Sequence, residues 1–330
     1  MTAKPWGQQQ QKSVEEVFFQ NEAVSLCMMM NRRAKILRVI DFRAGPSLAK
    51  RSFVLNVAQR EGFDKVYTLV ERDEVATWVK LGFTREGNIP GFYKRSDAFL
   101  LGCNVRTATE PTRVAQSEMR LAIRPPVAND DLDLGPRHVE GEDEEDAPPV
   151  DTRAQDFAER TIVHGKKRAK DLVGKPLPAA KVTEVSEADV KKPLAAAMKA
   201  GRAMTAFEPF GRDVQRRYFT VTAKGGYELC LSMETQACFG NAFLEMLTAP
   251  RTDGERLAVV SALRAMCEKL IAEEAVSVFA FAPSDDVALA AAFSFNGFRR
   301  TGLLQNHLVI GEERKDAILW SKKLANPADE

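Results

Sequence analysis

With 45% hydrophobic and 28% charged residues over 330 positions, the chain has an ordinary globular composition and enough length for two cores. Its formal net charge of +1 offers no field to draw nucleic acid or an anionic membrane. No apolar run approaches the ~20 residues of a spanning helix.

The first residues, MTAKPWGQQQQKS, lack the basic-then-apolar layout of a signal peptide. Residues 14–104 are compactly patterned. AVSLCMMM and AKILRVIDF flank the polar turn Asn31-Arg32-Arg33 and predict a β-hairpin, with Met28, Met29 and Met30 as strand core. Leu48, Val54, Leu55 and Ala58 share one helical face. A strand KVYTLV, a short helix over 75–81 and two strands around GFYKRSDAFLLG follow.

Over 105–178 the pattern dissolves. VANDDLDLGPRHVEGEDEEDAPPV is acidic, rich in proline and poor in large apolar residues, which predicts a flexible linker. The basic run HGKKRAK, residues 164–170, reads as a solvated charge run. From 179 to 325, strands and helices alternate again. KVTEVS is a strand, and Ser186 caps the next helix, with Asp189 in its first turn and Pro193 near its start. YELCLSMET and AFLEML are strands, and residues 255–271 form a helix with Leu257, Val260, Leu263 and Cys267 on one face. VSVFAFA, a helix over 287–295 and the strand ILWSKKL close the chain, with Trp320 as a core or interface anchor. The order predicts an α/β fold on one central sheet.

Cys27, Cys103, Cys230, Cys238 and Cys267 are dispersed without a CxxC pair, and His138, His164 and His307 lack ligand spacing. Both patterns predict a cytoplasmic protein with reduced thiols and no metal centre. His307, in the last hairpin, is placed near a substrate mouth, although a lone histidine is usually structural.

The two patterned regions echo each other. EVATWVKLGFTREG and ALAAAFSFNGFRRTG each end a helix in Gly-Phe before a strand, and RSDAFLLG and RKDAILWSKKL each close a half. Gly82 and Gly297 stand where a helix end needs positive φ. The recurrence implies an internal duplication.

On these segments, with KVTEVSEADV and NAFLEMLTAPRTDGERLAVVSALRAMCEKLI, residues 179–325 resemble the GNAT superfamily of acyl-CoA-dependent N-acyltransferases. Residues 14–104 are similar to the C-terminal half of that fold only. The resemblance implies a GNAT-like mixed sheet flanked by helices, as a truncated half-domain followed by a full domain. It further implies acetyl-CoA or another acyl-CoA as co-substrate, and a small-molecule or protein amine as acceptor. The first half would pack on the second, or help the chain form a homodimer or meet another protein.

The family's phosphate loop, Gln/Arg-x-x-Gly-x-Gly/Ala, is matched by Arg251 and Gly254, with Arg256 at its third position. A helix N-terminus with glycine suits an anion, and the arginine either pairs with phosphate or blocks it. The plain alternative takes Asp253 as an N-cap and the arginines as solvated. The resemblance extends the cofactor set to Leu247, Ala249 and Glu255 in this loop, and to Asp286 and Phe293 beyond it. Phe293 and Trp78 occupy the position where many members carry a tyrosine acid. Glu245 and Glu234 are the candidate bases, Glu245 being alternatively a salt-bridged strand residue. In the first half, DFRAGPSLAKRS departs from the loop spacing, and Pro46 removes an amide donor, which argues against CoA binding there. The rival expectation is a catalytically inactive tandem that serves as an interaction or regulatory module.

Overall fold

A hairpin begins the architecture. In the computed structural model, β2 (Ser25–Asn31) and β3 (Ile36–Asp41) pair antiparallel, and β1 (Val14–Gln20) adds to the outer edge of β2. The structure describes residues 14–20, 25–41, 48–93, 96–105, 152–204, 210, 214–223, 227–235, 240–311 and 313–325. Helix α1 (Leu48–Arg60) carries the chain from β3 to β4 (Lys65–Val70), which is parallel to β3. Helix α2 (Val75–Lys80) leads to β5 (Thr84–Ile89), and β6 (Ala98–Asn104) inserts between β4 and β5.

Then come α3 (Arg153–Leu172), β7 (Ala180–Val185), α4 (Glu187–Lys199), β8 (Gln215–Ala223), β9 (Tyr227–Thr235) and β10 (Asn241–Met246). The chain ends with α5 (Asp253–Ala272), β11 (Ser277–Pro283), α6 (Val287–Phe295), β12 (Arg299–Ile310) and β13 (Glu313–Lys323). The described strands form one 13-stranded sheet in the order β1-β2-β3-β4-β6-β5-β12-β13-β11-β10-β9-β8-β7. Read inward from edge strand β1 and from β8, which edge strand β7 covers, β1-β2-β3-β4-β6-β5 and β8-β9-β10-β11-β13-β12 repeat one pattern. Each has one parallel pair joined by a long helix, and each inserts its last strand before the one preceding it.

The Gly-Phe pairs end α2 and α6 in the same way. Gly82 (φ 82°) and Gly297 (φ 78°) turn the chain, while the Phe83 and Phe298 amides each donate to a carbonyl of the last turn, of Trp78 and Phe293, at 3.0 Å. The halves meet where β5 crosses β12, at Gly87 opposite Gly302. A Cβ on Gly302 would lie 2.6 Å from the Gly87 Cα, so only hydrogen side chains permit this approach. Beside it, buried Lys65 Nζ donates to both Glu86 oxygens (2.8 and 2.7 Å) and to the Gln305 carbonyl. Burial pulls the Lys65 ammonium down and pushes the Glu86 carboxyl up.

Strand alternation sorts the second half's core into two faces. Ala242, Leu244, Val278, Ala280 and Ala282 pack under α5, α6 and α3. Phe243, Phe279 and Phe281 point the other way and join Ile36, Tyr67 and Leu100 of the first half in a shared cluster. The sheet thus folds its two halves face to face.

Part of the expected linker is corrected. Residues 153–172 form a helix that buries Ala158, Thr161, Ile162, Gly165 and Ala169. These small and apolar side chains recur at helical spacing among charges, and Gly165 lets the helix approach Ala290 closely. The charged side chains of the basic run are exposed, and residues 106–151, with His138, lie outside the described residues, as does Cys238. Strands β1 and β8 were not expected from the sequence, and Pro193 sits mid-helix. Among the described residues, no helix is long and apolar enough to cross a membrane, and no cluster of His, Cys, Asp or Glu could hold a metal.

Candidate functional site

The parallel strands of the second half do not run together to their ends. β10 and β11 pair at Asn241–Ser277, Ala242–Val278 and Phe243–Phe279, and then part. Beyond that point β10 stays on β9 and β11 stays on β13, so a wedge opens between them. The buried Asn241 side chain pins the closed end by donating to the Phe92 carbonyl at 2.7 Å. The open end faces the loop that enters α5.

That loop is built around a capping box. Thr252, not Asp253, is the N-cap: its hydroxyl accepts from the Glu255 amide (3.2 Å). The Glu255 carboxylate turns back onto the amides of Arg251 (2.6 Å) and Thr252 (3.1 Å) and takes a 2.7 Å bond from Arg202. Burial opposes its charge, but these donors outweigh it and hold the carboxyl below its ordinary range. The chain's own carboxylate therefore sits on two amides that a phosphate would otherwise use. The first-turn amides of Asp253 and Gly254 have no helical acceptor. The Arg256 guanidinium pairs with exposed Asp253 at 2.9 Å. The Arg251 guanidinium is turned away to the Ala200 carbonyl.

The other expected cofactor positions separate. The Leu247 amide donates to Cys230 O (2.9 Å) and the Ala249 amide to Arg202 O (2.7 Å), so both are spent on the fold. Asp286 is the N-cap of α6, accepting from Ala288 and Leu289 at 2.9 Å. Phe293 is corrected to a core residue: it is 1% exposed and stacks on Trp320 at 5.5 Å.

The two candidate carboxylates converge on one guanidinium. Arg216 of β8 donates to Glu245 Oε2 (2.6 Å) and to Ser232 (3.1 Å), with its Nε 3.5 Å from Glu234. Burial works against the Arg216 charge, but Glu245 and Glu234 overcome it and raise its pKa. Glu234 accepts the Phe210 amide at 3.0 and 2.8 Å, and the Phe210 carbonyl accepts from Arg38 of the first half. The Phe210 ring lies beneath that guanidinium at 4.6 Å and against Phe243 at 5.0 Å. Phe210 thus bolts the two halves at this point.

Beside this bolt is a cavity of about 100 Å³, lined by Ile36, Arg38 and Tyr67 from the first half and by Phe243, Glu245 and His307 from the second. A bulge between Leu304 and Leu308, with Asn306 at φ 52°, turns His307 inward. The ring is 8% exposed, edge-on to Tyr67 at 5.2 Å and 4.8 Å from Phe281. Burial, then the Lys65 and Arg314 charges, lower its pKa well below 6.5, so the imidazole is neutral. Among the described residues, His307 Nδ1 and Arg38 Nε have no hydrogen-bond partner. Sequence reasoning missed Arg38 and Phe210, which carry no local signal.

In the first half, β3 and β4 also part, after Val39–Thr68. There the buried Lys50 of α1 reaches Asp41, just past the last paired residue, and lies 6.0 Å from the Trp78 ring. A side-chain ion pair thus stands at the fork.

No protein-family model and no curated protein matches the chain. Among solved structures, the ribosomal-protein-S18-alanine N-acetyltransferase of Escherichia coli aligns at 17% identity over 46% of this chain and 99% of its own, with a TM-score of 0.33. Spermidine N-acetyltransferase from Vibrio cholerae, in complex with CoA and spermine, aligns at 11% identity over 44% of this chain and 96% of its own, with a TM-score of 0.36. At scores this low, neither likeness carries weight for activity.

Proposed function

We propose that the chain is an acyl-CoA-dependent N-acyltransferase of GNAT type, with residues 179–325 as the acyltransferase unit and residues 14–104 as a truncated copy packed on it. The observation that carries this reading is the parting of β10 and β11 after Phe243, directly before a capped helix with open first-turn amides. A parted parallel pair exposes main-chain groups that a regular sheet would consume, and the helix terminus adds partial positive charge beside them. Gly254, Arg256 and the Asp253 amide are the groups suited to phosphate oxygens. Acyl-CoA, when bound, supplies the acyl group. The repeated element order and the Arg251-x-x-Gly254 spacing support the same reading.

Calorimetric titration with acetyl-CoA tests it. Binding is expected for the wild type, with at least tenfold loss in Gly254→Asp and Arg256→Glu. A silent wild-type titration removes the enzymatic reading.

One observation favours a second reading. Glu255 covers the Arg251 and Thr252 amides, which suits a catalytically inactive tandem kept as an interaction module. For that protein the titration is silent in the wild type and in Glu255→Gln alike.

A further inference from the structure

The cavity between the halves brings together polar groups that the fold leaves unused. Arg38 Nε is a buried donor and requires an acceptor oxygen. Glu245 lines the cavity and spends Oε2 on both Arg216 and Ser232, which leaves Oε1 for a further donor. His307 Nδ1, on a ring more than nine-tenths buried, completes the set.

We propose that this cavity binds a small zwitterion, a short compound with a primary amine and a carboxylate. The carboxylate is taken by Arg38 of the first half and the amine by Glu245 of the second. Three features set this class. Arg38 and Arg216 balance Glu234 and Glu245, so a ligand of zero net charge enters without leaving an uncompensated buried charge. The next cations, Lys65 and Arg314, are matched by Glu86 and Asp64. The volume of about 100 Å³ is somewhat below the ~150 Å³ of an engineered cavity that takes up benzene, which suits a ligand of a few heavy atoms. Ile36 and Phe281 offer apolar wall to a short methylene spine.

The neutral imidazole lines the cavity without altering this charge balance. As acyl acceptor, the ligand rests on the acyl-transfer reading. As a bound ligand it does not.

The test is calorimetry on the full chain without acyl-CoA, using glycine, β-alanine and 4-aminobutyrate against n-butylamine and butyrate. At least one zwitterion is expected to bind ten times more tightly than either single-charge probe. Saturation with it should shift the His307 imidazole nitrogen signals, assigned through His307→Gln. In Arg38→Gln the affinity should fall at least tenfold.

Absence of binding by all three zwitterions overturns the proposal, as does equal binding of butylamine or full affinity in Arg38→Gln. The probe comparison uses wild-type protein, so it decides the matter even where a variant misfolds. Zwitterion binding with a silent acetyl-CoA titration would sink the acyl-transfer reading and keep this site. The reverse pattern would sink the site alone.

Discussion

His307 shows how a residue with no pattern around it acquires a distinctive state. A bulge aims it inward, aromatic rings enclose it, and Lys65 and Arg314 make a further positive charge unwelcome. The unfolded side chain takes up a proton as pH falls through about 6.5, whereas the folded one does not. The unfolded state then binds the extra proton, so stability is lost on acidification at about 1.4 kcal/mol per unit until the folded pKa is reached. Urea midpoints at pH 7 and pH 5.5 check this. The wild type should lose more stability than His307→Gln across that interval, and equal losses would show that the imidazole does not titrate as described. Glu255 makes the complementary point. Three donors hold one carboxylate where a phosphate loop would keep its amides open.

At the scale of elements, the seam between β5 and β12 depends on two glycines. The Gly302→Ala methyl would lie 2.5 Å from the Glu86 carbonyl oxygen, which is backbone and has little freedom to give. The substitution should destabilise the chain by roughly 1–3 kcal/mol, read as a lower denaturant midpoint. An unchanged midpoint would mean that the strands separate there at no cost.

The elements themselves were legible to very different degrees. The hairpin of β2 and β3, the Gly-Phe helix ends and the capping box at Ser186 are local, and each shows in a few adjacent residues. Helix α3 was hidden because its buried face offers one large apolar residue, Ile162, among the small Ala158, Gly165 and Ala169, set among charges. Only their fit against α6 makes that face a core. The Glu234 and Glu245 pair could be named from strand position, but Arg216 and Ser232, which join them, could not. The cavity was illegible for a stronger reason. Arg38, Phe210 and His307 meet only after two distant halves close on each other, and no periodicity encodes that meeting.

For the molecule as a whole, one sheet with a shared aromatic cluster leaves little room for independent halves. Tyr67 of the first half packs with Phe210 and Phe243 of the second, and breaking that contact exposes Lys65 and Glu86 at the same seam. Unfolding should therefore be a single cooperative event, with coincident fluorescence and circular dichroism transitions on heating. Two resolved transitions would show that the halves are energetically separate.

The position of the seam in the strand order has a further effect. The flank of β12 away from β13 meets β5 at the Gly87–Gly302 pair, so the first half stands against a border whose backbone groups could otherwise pair with another molecule. In that position the first half guards the second against edge-to-edge aggregation.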